Sequence, residues 1–290
     1  MKVSYILLIL FIPFIGFGQQ TFIPDDNFEQ SLIEMGLDDT IDNYVNTNSI
    51  DTLKTLNLSY KNISSMVGIE DFESIELLYI NENLINEINL DNNLNLKYFN
   101  CSDNYLLELN LNNNQGLLEL NCGFNEISSI DISQNTNLEI LSVHANLLNE
   151  INTDFNTSLR IFDCSENNIS SIDISNNNEI YILYCFDNFL SELNLNNITK
   201  SLSILSCSQN PNLYCIQVSD ENYAYSNFNL YDEQQYFSEN CNMTSLDDIK
   251  LTNKFKISEF DLFGRKTNIK NQPVIEIYND RSVEKKVIIE

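Results

Sequence analysis

Between residues 53 and 218 apolar residues recur in one rhythm: a first, a second three positions on, and a third two beyond that. The first is Leu53, Ile75, Leu96, Leu117, Leu138, Leu159, Ile180 and Leu202, in steps of 22, 21, 21, 21, 21, 21 and 22. The second is Leu56, Leu78, Phe99, Leu120, Leu141, Phe162, Leu183 and Leu205. The third is Leu58, Ile80, Cys101, Cys122, Val143, Cys164, Cys185 and Cys207. The second and third slots alternate with polar residues at period two, which predicts a short strand with its apolar side facing in. Three positions past the third slot comes Asn83, Asn104, Asn125, Asn146, Asn167, Asn188 or Asn210, with Lys61 in the first copy. This asparagine predicts a tight turn, its amide serving backbone groups that the bend would leave unpaired. The rest of each copy, such as "ISSIDIS" at 127–133, predicts a return segment with apolar pairs such as Ile130/Ile132 and Ile172/Ile174. One such strand cannot bury its own face, but eight stacked in parallel can.

The frame L-x-x-L-x-L-x-x-N-x-L resembles the leucine-rich repeat, whose period runs from 20 to 29 residues. At 21 to 22 residues the copies resemble the short, internalin-like bacterial kind. The resemblance implies an α/β-type curved solenoid dominated by a parallel β-sheet, with capped ends and a binding role for its concave face. The cysteines of the third slot read as small buried hydrophobes. Their spacing matches no zinc motif.

The flanks break the period. Upstream, "IPDDNFEQSLIEMG" predicts a helix with Asp26 as N-cap, Glu29 three residues later and Gly36 as terminator. The stretch resembles the N-terminal cap of secreted bacterial leucine-rich repeat proteins. "LDDTIDNYVNTN" follows, lacks the spacing of a calcium loop and reads as solvated. Downstream, an irregular C-terminal cap holds Cys215 and Cys241, outside the core slot. In an exported protein they are expected to pair, with two free thiols as the alternative that spacing leaves open.

The chain has 290 residues and a formal net charge of −27. Such a charge repels phosphate backbones and anionic lipid, which excludes nucleic acid as a partner. Residues 19 to 245 hold 5 Lys and Arg against 34 Asp and Glu, whereas residues 246 to 290 hold 9 against 8. That shift marks a boundary at residue 246. The tail carries strand runs broken by turn residues. Its phrases "FDLFGRK", "NQPVIEIY" and "VEKKVIIE" resemble the sorting domain read by the type IX secretion system, which implies that machinery as a partner. The opening "MKVSYILLILFIPFIGFG" is short and interrupted by Pro13. It reads as a signal peptide cleaved after Gly18, leaving no membrane-spanning segment. The expected organisation is therefore signal 1–18, N-terminal cap 19–50, eight repeats 51–218, C-terminal cap 219–245 and a small all-β sorting segment 246–290.

The strand residues between the apolar slots face outward in rows. They place Tyr79, Tyr98, Tyr184 and Phe186, with Phe124 alongside, as exposed aromatics near His144. Such side chains on a rigid sheet suit a protein ligand, or a surface glycan stacking on the rings as the alternative. His144 is the one histidine, and by rung spacing Ser165 stands beside it with Asp163 diagonally beyond. A flat sheet gives that trio neither an oxyanion hole nor a water-excluding pocket, so no catalytic set is assigned. No cofactor or metal is called for.

Overall fold

The computed structural model describes residues 19–228 and 231–241, and the backbone of three strands between 256 and 287. The expected signal segment and the turns of the tail lie outside the described residues. The chain divides into two compact units between Glu239 and Asn240.

The first unit opens with β1 (Gln20–Phe22), α1 (Asp26–Glu34), β2 (Tyr44–Asn46) and α2 (Thr47–Ile50). β1 and β2 pair antiparallel. The N-cap of α1 is Asp25, one residue before the expected Asp26. Asp25 wins because its carboxylate serves two partners: one oxygen accepts from the N–H groups of Asn27 and Phe28, the other from the N–H of Ser64 and Ser65 and the Ser64 hydroxyl. Burial pushes the Asp25 carboxyl up, but these bonds together, led by those from Ser64, hold its pKa below the ordinary carboxylate range. Gly36, left-handed at φ 74°, follows the helix end as expected.

The strands β3 (Thr55–Asn57), β4 (Leu77–Tyr79), β5 (Tyr98–Asn100), β6 (Glu119–Asn121), β7 (Ile140–Ser142), β8 (Ile161–Asp163) and β9 (Ile182–Tyr184) come next, one per coil. β10 (Leu193–Asn194) lies on the return side, and β11 (Ile204–Ser206) completes the main sheet. That sheet is parallel and eight-stranded, in the order β11-β9-β8-β7-β6-β5-β4-β3. Its register puts Leu56, Leu78, Phe99, Leu120, Leu141, Phe162, Leu183 and Leu205 in one line, all buried. The third-slot residues form a second buried line. At the far end, β12 (Cys215–Gln217), α3 (Glu221–Asn227) and β13 (Tyr236–Ser238) give the C-terminal cap more regular structure than its sequence suggests. Asp220 starts α3 by accepting the Tyr223 N–H, and β12 joins β10 and β13 in a three-stranded parallel sheet. Cys215 and Cys241 form a disulfide. In the second unit, β14 (Lys256–Asp261), β15 (Pro273–Tyr278) and β16 (Val283–Val287) form an antiparallel sheet in chain order, on the three predicted strand runs. Pro273 stands at the first place of its strand, where a missing N–H is tolerated.

Two asparagine ladders hold the coils together. In the predicted one, Asn125 Nδ2 donates to the carbonyls of Cys101, Cys122 and Gly123, while its Oδ1 accepts the Leu106 N–H. Asn83, Asn104, Asn146, Asn167, Asn188 and Asn210 repeat the pattern. The residue before each of these asparagines is left-handed, with φ between 50° and 58° from Glu82 to Gln209. None of these seven is glycine, and each such backbone costs roughly 1–2 kcal/mol. The buried amide bonds and the coil-to-coil pairing of the turn offset that cost.

The second ladder was not anticipated. Asn93, Asn114, Asn135, Asn156 and Asn177 sit on the return side, three residues before the first apolar slot, and all are buried. Each donates Nδ2 to carbonyls of the preceding coil, as Asn135 does to Leu111 and Asn114. Thr153 sits where other coils carry Leu or Ile, and its hydroxyl donates to Asn177 Oδ1 at 2.8 Å.

These observations separate packing from hydrogen bonding. Leu120→Ala opens a cavity and should cost about 2–5 kcal/mol. Asn125→Ala strands several buried backbone groups, each worth about 1–3 kcal/mol, and should cost at least as much. Denaturant unfolding checks both, and in a one-dimensional array each should broaden the transition as well as shift it.

Candidate functional site

The exposed face of the eight-stranded sheet carries the expected rows, because each three-residue strand buries its centre and turns its two ends outward. Tyr79 on β4 lies beside Asn100 and Tyr98 on β5 beside Leu77, so the two tyrosines are diagonal neighbours. Tyr184 on β9 lies beside Asp163 and Ser206. Five strand steps of about 4.8 Å part Tyr79 from Tyr184, so the aromatics form separate groups rather than one platform. Tyr79, Tyr98, Tyr184 and Phe186 are also half-buried, not fully exposed, because side chains one strand away cover their flanks. Phe124 is the exposed one, at 49%.

Phe124 and His144 meet edge to face with ring centroids 4.7 Å apart. The imidazole lies over Gly123, and a Cβ there would overlap its Cε1 and Nδ1. Gly123 is thus the seat of the ring. Ser142 Oγ is 2.7 Å from His144 Nδ1, and Asp163 Oδ2 approaches the same nitrogen at 3.9 Å. The Ser165 hydroxyl donates to Asp163 Oδ1 at 2.5 Å rather than pairing with the histidine. A serine–histidine–acid relay needs the hydroxyl and the carboxylate on opposite ring nitrogens; here both face one.

All five basic side chains between residues 19 and 241 are in ion pairs. Lys54 and Lys97 both reach Glu76, Arg160 reaches Glu139, Lys61 reaches Glu34 and Lys200 reaches Asp220. The bonds from Lys54 and then Lys97 hold the Glu76 carboxyl down to about 2. Exposed pairs of this kind add little stability. Their effect is to neutralise the few cations locally and leave the remaining surface acidic.

The rung cysteines Cys101, Cys122, Cys164, Cys185 and Cys207 are buried. Burial pushes the thiols of Cys122 and Cys207 up to about 12 and raises the others as well. Such thiols are poor nucleophiles and poor metal ligands. Among the described residues no group of three or more His, Cys, Asp or Glu is arranged to hold a metal ion, and no helix is long and apolar enough to cross a membrane.

Sequence reasoning missed a second feature. One residue past four of the seven ladder asparagines, Leu84, Tyr105, Leu147 and Phe189 stand 48 to 53% exposed, with Glu126, Asn168 and Pro211 at that place in the other coils. The backbone fixes them in register: the N–H groups of Tyr105, Leu147 and Phe189 bond to Ile85, Ile127 and Ile169 one coil back. With Phe124 they make an apolar rim where the chain leaves the sheet. The repeat frame contains the signal, since that position follows the asparagine in every coil.

No protein-family model and no curated protein matches the chain. Among solved structures it is similar to the functional domain of InlJ from Listeria monocytogenes, described as including a cysteine ladder, at 27% identity and a TM-score of 0.57. The match covers 69% of this chain and 52% of that one, so the chain spans about half the length of that domain. It is also similar to internalin C2 of Listeria monocytogenes (17% identity, 76% and 98% covered, TM-score 0.48). A leucine-rich repeat protein of Leptospira interrogans is a third (16%, 67% and 62%, TM-score 0.48). The fold is a leucine-rich repeat solenoid, with internalin-type neighbours.

Gly123→Ala should force the His144 ring from its seat and cost about 1–3 kcal/mol. In a His144→Ala background the same change should be nearly neutral. A double-mutant cycle by thermal unfolding measures that coupling.

Proposed function

We propose that this chain is an exported, non-catalytic binding protein that takes another protein on its sheet face and apolar rim, secreted or held at the cell surface. The observation that carries the reading is the rim of Leu84, Tyr105, Phe124, Leu147 and Phe189, apolar side chains held in line on a rigid backbone. Aromatic and large apolar residues in such settings are the usual anchors of protein interfaces. Phe124 joins the rim to His144, and the β9 coil carries Tyr184, Phe186 and Phe189 together. The excess of carboxylates favours a partner with a basic surface and speeds its approach at low salt. The internalin-type neighbour supports an interaction role. Residues 246–290, near neutral and resembling a type IX sorting segment, would carry the protein outward from the periplasm.

Cross-linking on the native cell surface, followed by binding assays with the captured protein, tests this reading. Tyr105→Ser with Phe189→Ser should weaken binding at least tenfold while the melting temperature stays nearly unchanged. Retained affinity in that variant moves the site elsewhere. Glycan-array binding that depends on Tyr79, Tyr98 and Tyr184 would favour the carbohydrate reading instead. Deleting residues 246–290 should leave a folded protein in the periplasm, and a deletion variant that still reaches the medium or surface overturns the sorting assignment.

A further inference from the structure

The N-terminal cap contains two buried carboxylate oxygens without a partner. α1 turns Phe28, Glu29, Ser31 and Leu32 inward, and Glu29 is 0% exposed. It does not close a capping box at the helix start. Instead its Oε1 enters the following loop and accepts the N–H groups of Asp42 and Tyr44, each at 3.0 Å. Its Oε2 is buried with no hydrogen bond, and so is Oδ2 of Asp38. Burial raises the Asp38 carboxyl against the lowering effect of the Asp39 N–H, and the nearby charges of Glu29, Asp39 and Asp42 add to the rise. None of the ion pairs among the described residues reaches Glu29 or Asp38. A buried carboxylate needs a proton, a hydrogen-bond donor or a cation.

We propose that Glu29 Oε2 and Asp38 Oδ2 are ligands of a calcium ion that ties α1 to the loop at 38–44. The donors are oxygens alone, which suits a hard cation; calcium takes 6–8 of them in flexible geometry, carbonyls and waters included, whereas magnesium demands a regular octahedron. Counted from Asp38, oxygen-bearing side chains stand at the first, third and fifth places (Asp38, Thr40 and Asp42). Asn43 at the sixth is left-handed at φ 69°, the place where a calcium loop bends sharply. The twelfth place is Ser49 rather than a glutamate, which is why spacing alone did not read as a calcium loop. Glu29, from the helix before, is the carboxylate that enters instead. With two protein carboxylates at its centre the site belongs with the weak extracellular class, Kd about 0.1–1 mM.

The test is calorimetric titration of the full chain with CaCl2, together with thermal melting in CaCl2, in MgCl2 and in NaCl at equal ionic strength. Wild type should bind calcium saturably and gain about 3 °C or more in Tm well above Kd, with magnesium weaker and NaCl without specific effect. Glu29→Gln keeps an oxygen for the Asp42 and Tyr44 N–H groups but replaces Oε2 by an amide. It should fold, be at least as stable as wild type without calcium, and lose the calcium response. Asp38→Asn should do the same, and serves if the first variant folds poorly. Asp131→Asn, an acid on a distant coil, should respond like wild type. No saturable binding, an equal shift in NaCl, or an undiminished response in both cap variants would overturn the proposal.

Discussion

Each coil must bend its backbone sharply against a buried apolar core, and the bend leaves carbonyls and N–H groups facing inward. The asparagine amide meets that constraint. Asn104 donates to three carbonyls, one of them in the preceding coil, and accepts an N–H through its oxygen. Leaving such groups unpaired in a core costs about 1–3 kcal/mol apiece, more than the bond itself contributes. No apolar residue can replace the amide, and a charged one brings a desolvation penalty. The ladder therefore decides which sequences can close a coil of 21 residues, and the leucine slots then decide how well the closed coils pack.

That same turn fixes what the molecule presents to its surroundings. Holding the residue before each asparagine at positive φ throws its side chain outward whatever it is, so Phe124 is exposed while its neighbour Cys122 is at 0%. The residue after the asparagine is likewise turned out, which puts Leu84, Tyr105, Leu147 and Phe189 in one line. The apolar rim is thus a by-product of backbone satisfaction, free to vary in sequence without touching the core. The strand ends are less free: set one strand spacing from the residues on either side, Tyr79, Tyr98 and Tyr184 end half-buried.

The repeats, the strand register, the core lines and the asparagine turn were legible in the sequence because each depends on a short-range period of the chain. Asn93, Asn114, Asn135, Asn156 and Asn177 obey the same period and could have been read in the same way, but an asparagine in a polar return segment looks solvated until its burial is seen. The caps were less legible. Asp25 rather than Asp26 caps α1 because Ser64, 39 residues away, draws on the same carboxylate, and no local rule contains that partner. Ser165 stands on the rung beside His144 but does not bond to it, for a local reason: Asp163, two residues away on its own coil, accepts its hydroxyl.

Departures from the frame come in compensating pairs, because a residue in a solenoid meets mainly its own coil and the two beside it. Gly123 makes room for His144, 21 residues on; Thr153 supplies the hydroxyl that Asn177 Oδ1 needs, 24 residues on. In Asn93, Asn114, Asn135 and Asn156 the corresponding oxygen has no hydrogen bond, and as one side of a neutral amide whose N–H groups are bonded it is tolerable. Glu29 differs in kind. Its unpartnered oxygen belongs to an acid, lies at 0% exposure in the cap rather than in a coil, and no ion pair among the described residues reaches it. The repeating part of the chain supplies its own partners one coil away; the N-terminal cap, having a coil on one side only, leaves the carboxylate oxygens Oε2 of Glu29 and Oδ2 of Asp38 without one.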